Sequence, residues 1–150
     1  MSGETDLIKL YSPRILALAT DIPRLGRLEA PDATCKKRSP LCGSTVTVDL
    51  TVQNGCVTDY AQDVKACALG QAAAAVVGGA IVGRSQKDVV AARDALKEML
   101  TSDGAAPAAP FDELEILRPA GSFRNRHNSI LLTLEAAVEA LQMAQTMRSA

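Results

Sequence analysis

The stretch that decides the fold runs from position 44 to 67 and reads STVTVDLTVQNGCVTDYAQDVKAC. Apolar residues take every second position of its first half: Val46, Val48, Leu50 and Val52. This alternation predicts a half-buried antiparallel strand over about 44–52. Asn54-Gly55 is the favoured two-residue hairpin turn. The return strand, about 56–64, alternates less well, so we expect a bulge near the turn. Because a hairpin doubles back, its two ends lie at the same edge of the sheet.

Helical signals flank this hairpin on both sides. Alanine dominates positions 66–77, which predicts a helix that starts at or just after Cys67 and stops at Gly78-Gly79. Ser85 reads as the N-cap of a helix over about 86–100. Apolar spacings of three and four predict a last helix from about 127 to 147, and shorter helices are expected over 13–19 and 111–117.

The segment 24–40 shows no sustained hydrophobic period. Pro31 and Pro40 interrupt it, and positions 34–39 are a polar run. These features predict an exposed loop. Cys35 falls within it and is expected to be mobile.

Composition limits the classes of function. The length of 150 residues suits a single domain over 1–150, and 16 basic against 17 acidic residues leave no basic patch for nucleic acid. No secretory signal or membrane-spanning run is recognised, so the cytoplasm, where thiols stay reduced, is the expected location. No phosphate-binding glycine motif and no nucleophile with an evident base appear, so we expect no enzymatic activity.

Two cysteines and the single histidine are the candidate ligands. Cys42 precedes the first strand, Cys67 heads the helix after the hairpin, and His127 opens the last helix. The positive end of a helix dipole favours a thiolate at Cys67, and thiolate with imidazole suits zinc or iron with sulfide. Each residue also has a structural interpretation: Cys67 as a small buried side chain, Gly43 after Cys42 as a turn, His127 as a helix cap. Cys56 is expected to be structural.

Four strings together resemble the U-type iron–sulfur cluster assembly scaffolds, the NifU N-terminal-domain-like or IscU-like proteins. They are YSPRILALATDIP, SPLCGSTVTVDL, NGCVTDYAQDVKACALGQAAAAVV and RHNSILLTLEAAVEAL, from Tyr11 to Leu141. The resemblance implies an α+β fold with a three-stranded antiparallel sheet, helices packed on one side and a long C-terminal helix. It also implies that Cys42, Cys67 and His127 bind a [2Fe–2S] cluster, with a cysteine desulfurase as sulfur donor and apo iron–sulfur proteins as recipients.

The chain departs from the family at two positions. Asn128 follows the histidine where the family has a third cysteine, and Ser44 stands where it has an aspartate. Since a [2Fe–2S] cluster takes four protein ligands, the fourth is left open between Cys35, a small thiol, a partner's residue and no ligand at all. The sequence therefore predicts a scaffold or carrier for iron and a [2Fe–2S] cluster. The alternative is a zinc-binding or sulfur-accepting interaction module, and a third possibility is an adaptor without metal.

Overall fold

The structure is a computed structural model that describes residues 10–41 and 43–149, with side chains up to residue 146. In this part of the chain, one helix precedes three consecutive strands, and the remaining helices follow them. In order, they are α1 (Pro13–Ala19), β1 (Ala33–Arg38), β2 (Thr45–Gln53), β3 (Cys56–Lys65), α2 (Ala68–Ala80), α3 (Gln86–Ser102), a 3₁₀ helix (Asp112–Ser122) and α4 (Arg124–Ser149). The fold is α+β, as predicted.

The sheet is antiparallel, with the strand order β1-β2-β3. The predicted hairpin forms: Asn54 and Gly55 have φ of 54° and 78°, the left-handed pair that a tight hairpin turn requires. The register shifts between Thr51 and Val52, which confirms the bulge near the turn. Residues 24–26 also pair with the free side of β3, because Gly26 N–H donates to Gln62 O at 2.8 Å and Gln62 N–H donates to Arg24 O at 3.0 Å.

The expectation of an exposed loop over 24–40 is wrong, because β1 lies within it. Asp49 on β2 is fully buried and anchors this segment. Its carboxylate accepts hydrogen bonds from Arg27 Nε at 2.6 Å, from Leu28 N–H at 3.0 Å and from the Thr34 hydroxyl. Burial opposes its ionisation, but the bonds from Arg27, Thr34 and Leu28 hold the pKa of Asp49 below its ordinary value. β1 is thus fixed by a tertiary contact with Asp49, which cannot be predicted from the sequence of the segment 24–40 itself.

The helices cover one face of the sheet. α4 packs on β1 and β2, and α2 contacts β3 and α4. Because the alanines of α2 are small, this helix can approach the sheet and α4 closely. Gln62 on β3 is buried, and its side-chain amide donates to Ala74 O on α2 at 3.0 Å and to Pro23 O at 3.1 Å. A buried amide whose donors are satisfied in this way fixes α2 and the segment before β1 relative to β3.

The predicted stop of α2 at Gly78-Gly79 is wrong, because the helix includes both glycines and ends at Ala80. The remaining helix boundaries agree with the sequence pattern, with two further differences. Ser85 caps α3 in a capping box with Asp88, as predicted. The expected short helix after Phe111 is a 3₁₀ helix that continues to Ser122. The last helix begins at Arg124, so His127 lies inside its first turn. Within the described residues, no helix combines the length and the apolar character needed to cross a bilayer.

Candidate metal and cluster site

The candidate site lies at one end of the sheet, where Arg38, Thr45 and Lys65 form the last row of paired residues. Beyond this row, β1 and β2 are joined by the loop 39–44, and β3 runs through Ala66 into α2. The hairpin therefore brings the loop that contains position 42 and the start of α2 to the same edge, as predicted. Cys42 itself lies outside the described residues.

The loop is closed by backbone hydrogen bonds. Ser39 N–H donates to Ser44 O at 2.8 Å, and Gly43 N–H donates back to Ser39 O at 2.9 Å. Gly43 has a φ of 73°, a conformation that glycine adopts without strain. Ser39 and Ser44 are buried, whereas Leu41 at the tip is 66% exposed. The chain on both sides of position 42 is thereby held against the end of the sheet.

Cys67 is the N-cap of α2, as predicted. Its backbone is extended, with φ −67° and ψ 170°, and its carbonyl accepts the first helical bond from Gln71 N–H at 2.9 Å. The side chain makes no capping bond and is half-buried. Its Sγ lies 3.4 Å from the hydroxyl oxygen of Ser129. The sulfur therefore stands beside the unpaired N–H groups of a helix start, where negative charge is favoured.

Ser129 joins the three parts of the site. Its hydroxyl lies 3.1 Å from that of Ser44 and, on its other side, contacts Cys67. The residue is 1% exposed, and α2 approaches it closely because Gly70 has no side chain: a Cβ there would lie 2.6 Å from Ser129 Oγ. Ser129 was not predicted as a site residue. The available signal was its place directly after His127 and Asn128 in the string RHNSIL.

His127 faces a different neighbour. It is 8% exposed, and its Nε2 lies 3.1 Å from the carbonyl oxygens of both Ala120 and Gly121 at the end of the 3₁₀ helix. Carbonyl oxygens only accept, so Nε2 carries the proton and Nδ1 carries the lone pair that can bind a metal. His127 and Ser129 are two residues apart, about 200° around the helix. The histidine is therefore not directed towards the sulfur of Cys67 in this conformation.

The surroundings of His127 are open and cationic. A groove of about 480 Å³ between α3 and α4 is lined by His127, Asn128, Lys97 and Arg124 among others, with no carboxylate. Asn128, at the position of the family's third cysteine, is exposed. Over residues 10–41 and 43–146, no three His, Cys, Asp or Glu side chains are gathered as a metal site. Since Cys42 is not among them, the ligand set of Cys42, Cys67 and His127 stays a prediction.

The two remaining cysteines occupy fixed positions on strands. Cys35 was expected on a mobile loop, but it lies on β1 opposite Val48, three residues or about 10 Å from the last row. Burial raises the pKa of its thiol, and the charge of Glu139 raises it further against the effect of Lys37. Cys56 lies at the opposite end of β3, in a bridge with Ser85. The premise that a flexible loop delivers Cys35 as a fourth ligand is therefore wrong.

Comparison with known proteins places this arrangement in a family. No family profile matches the chain. The N-terminal part of a nitrogen-fixing NifU-like protein from Brucella abortus is 40% identical, with a TM-score of 0.92 over 94% of this chain and 98% of that one. A protein described as an iron–sulfur cluster assembly scaffold for the SUF system, from Fervidobacterium islandicum, shares the fold at 18% identity, with a TM-score of 0.78 over 88% of this chain and 96% of that one.

A further relative is found by sequence similarity. The iron–sulfur cluster assembly scaffold protein IscU of Streptococcus pyogenes serotype M1 is 22% identical over 117 residues, which is 78% of this chain and 73% of that protein. The strings that carry the resemblance form α1, the loop 39–44 with most of β2, all of β3, most of α2 and the part of α4 up to Leu141. On the fold, the arrangement of these elements and the identity to the Brucella protein, the chain belongs to the IscU-like, NifU N-terminal-domain-like family of iron–sulfur cluster assembly scaffolds.

Proposed function

We propose that this protein is a scaffold or carrier on which iron and sulfide assemble into a [2Fe–2S] cluster, with Cys42, Cys67 and His127 as its protein ligands. The observation that supports this most is the contact of Ser129 with both Ser44 and Cys67. Ser44 is two residues from Cys42, so one helix holds the loop of the first predicted ligand and the sulfur of the second. The cluster is cargo, and release matters as much as binding.

The chemistry of this end of the molecule suits a labile site. Cys67 is half-buried, the loop tip is exposed at Leu41, and Asn128 supplies no thiol. His127 can share a metal with Cys67 only if its ring leaves the carbonyls of Ala120 and Gly121 and the first turn of α4 shifts. A site with few thiolates near solvent gives up its cluster more readily than a closed four-cysteine site. A cysteine desulfurase is the proposed sulfur donor, and apo iron–sulfur proteins in the cytoplasm are the proposed recipients.

A second function is favoured by one observation, the exposed amide of Asn128 where the family has cysteine. Two cysteines and a histidine with an open position also match a three-ligand zinc site. In that case the protein is a zinc-binding or sulfur-accepting module with the same fold. Because zinc needs no sulfide, chemical analysis separates the two functions.

The test is anaerobic reconstitution with ferrous iron, cysteine, a cysteine desulfurase and dithiothreitol, which reduces the persulfide sulfur to sulfide, followed by iron and acid-labile sulfide analysis. We expect about two irons and two sulfides per chain and a visible absorption band, both lost in Cys42→Ala/Cys67→Ala. Cys56→Ala is the matched control and should keep the cluster, because Cys56 lies at the other end of β3. A parent that binds zinc but no sulfide supports the second function, and equal iron and sulfide in the double variant rejects the first.

A further inference from the structure

Ser129 occupies a position that a purely structural serine does not need. Within α4 its hydroxyl could bond back to its own helix, as helical serines often do. Instead it lies between Ser44 Oγ at 3.1 Å and Cys67 Sγ at 3.4 Å. Both serines are at least 96% buried, with 4% exposure for Ser44 and 1% for Ser129. Bulk water therefore does not compete with the contact between the two serines.

The direction of the hydrogen bonds follows from the chemistry of a ligating sulfur. A metal-bound cysteine is a thiolate and only accepts. Ser129 has one O–H, so when Cys67 binds metal this O–H donates to the sulfur. The Ser129 oxygen then accepts from the Ser44 hydroxyl. The order is Ser44 to Ser129 to Cys67, and it connects the loop that carries Cys42 to the second ligand.

We propose that Ser129 is a positioning residue of the cluster site, which donates a hydrogen bond to the sulfur of Cys67 and, through Ser44, holds the loop 39–44 next to that sulfur. The proposal rests on the proposed function for its ligand set. It assigns two effects to one hydroxyl. Hydrogen bonds to ligating sulfurs tune the potential and affinity of such sites, and the contact with Ser44 holds the loop in place.

The first experiment uses Co²⁺ as the probe, because thiolate-to-cobalt charge transfer reports directly on the sulfur. In Ser129→Ala we expect cobalt affinity to fall about tenfold, as for other groups bonded to metal ligands, and the charge-transfer band to move to lower energy. Ser44→Ala should weaken binding less, and the double variant should resemble Ser129→Ala alone, since the two hydroxyls act as one unit. A parent-like affinity and band in Ser129→Ala overturns the proposal.

The matched control is Thr133→Val on the same helix. Thr133 is 1% exposed, and its hydroxyl has no hydrogen-bond partner among the described residues. Replacing it removes a buried hydroxyl without removing a contact, so cobalt affinity and the band should stay as in the parent. A shift equal to that of Ser129→Ala would mean that the effect is structural, and the proposal would fall. If Ser129→Ala does not fold, cobalt affinity and the charge-transfer band are compared between Ser44→Ala and the parent instead.

A second readout separates this proposal from the proposed function. Glutathione disulfide oxidises two protein thiols to one disulfide and is itself reduced to two glutathione thiols, so the equilibrium measures the effective concentration of Cys42 relative to Cys67. We expect this concentration to fall about tenfold in Ser129→Ala and to stay constant in Thr133→Val. If the parent binds no metal and this result is obtained, the proposed function fails and the positioning role stands. An unchanged equilibrium overturns the positioning role.

Discussion

The two ends of the β2–β3 hairpin each carry a cysteine, but they are held by different kinds of bond. At the Cys56 end the backbone closes the structure. Val57 N–H donates to Arg84 O at 3.0 Å, Gly83 N–H donates to Val57 O at 2.7 Å, and Cys56 bridges Ser85. At the Cys67 end the contacts between the loop, α2 and α4 run through side chains, chiefly the hydroxyl of Ser129.

The difference separates a structural end, at Cys56, from a reactive end, at Cys67, which carries the proposed cluster site. Backbone ladders open only when the strand itself leaves, whereas a hydroxyl can exchange one partner for another by rotating about a single bond. A site that must accept and release cargo needs contacts of the second kind. The cysteine at each end is thus suited to a different role by the bonds around it.

The largest effect is expected from Gly70→Ala at the reactive end. The new Cβ would lie 2.6 Å from Ser129 Oγ, 2.9 Å from Ala66 Cβ and 3.1 Å from Ser129 O. Overpacking of this kind costs about 1–3 kcal/mol and exceeds the gain in helix propensity of up to about 1 kcal/mol. We expect a net loss of stability in urea unfolding, accompanied by weaker cobalt binding because Ser129 is displaced.

Gly83→Ala is the counterpart at the structural end. Gly83 has a φ of 91° with no atom within 4 Å of the Cβ position, so only backbone strain of about 1–2 kcal/mol is introduced. Cobalt affinity should not change. If Gly83→Ala lowers metal affinity as much as Gly70→Ala does, the two ends are not independent and the comparison is broken.

The next effect is expected from adding a thiol. Asn128→Cys places a sulfur beside His127 in the first turn of α4. A fourth ligand should strengthen binding at least as much as a group that only hydrogen-bonds to a ligand, and such a group changes metal affinity about tenfold. Under anaerobic reconstitution, we expect the cluster to persist about tenfold longer than in the parent, measured by the decay of visible absorption. Lys87→Cys adds an exposed thiol to the first turn of α3 near Cys56 and should not prolong it. Equal lifetimes in Asn128→Cys and the parent would show that the missing thiol is not limiting.

The smallest effect concerns the capping box of α3. Ser85→Ala should cost about 1 kcal/mol of stability and leave metal affinity unchanged. The backbone N–H and then the hydroxyl of Ser85 lower the pKa of Asp88, so the contribution of this carboxylate is present above its unfolded pKa of about 3.9 and is lost as the pH falls through the folded value. Thermal unfolding of the parent and Asp88→Asn should therefore differ at pH 7 and converge below about pH 4. A difference that grows on acidification would contradict this assignment.

The sequence was sufficient for elements whose signals are local. The alternation from Val46 to Val52 predicts β2, alanine content predicts α2, and Ser85 with Asp88 predicts the start of α3. In contrast, β1 reads ATCKKR, and only Ala33 in it is buried. Its strand character comes from pairing with β2 and from Asp49, a residue 11 positions beyond its end, which no local window contains.

The site was predictable in part for the same reason. A helix that begins after Cys67 places this cysteine at the N-cap without tertiary information. The orientation of His127 depends on where α4 starts. The 3₁₀ helix that contains Ala120 and Gly121 ends just before Arg124, so α4 starts three residues before His127, and the ring contacts the carbonyls of Ala120 and Gly121. For Ser129 the sequence offers only its place next to His127 and Asn128, because the role of a helical serine is defined by neighbours in space that the sequence does not show.

The pairing of residues 24–26 with β3 has a consequence for how copies of the protein meet. It covers one lateral edge of the sheet, and in the described part of the chain only β1 ends the sheet on the other side. Lys36 and Arg38 alternate along that strand and are exposed. Two molecules that joined β1 to β1 would bring these cations together, and lysine on an edge strand is a known means of preventing such growth. At high protein concentration, the sheet is thus protected from edge-to-edge aggregation.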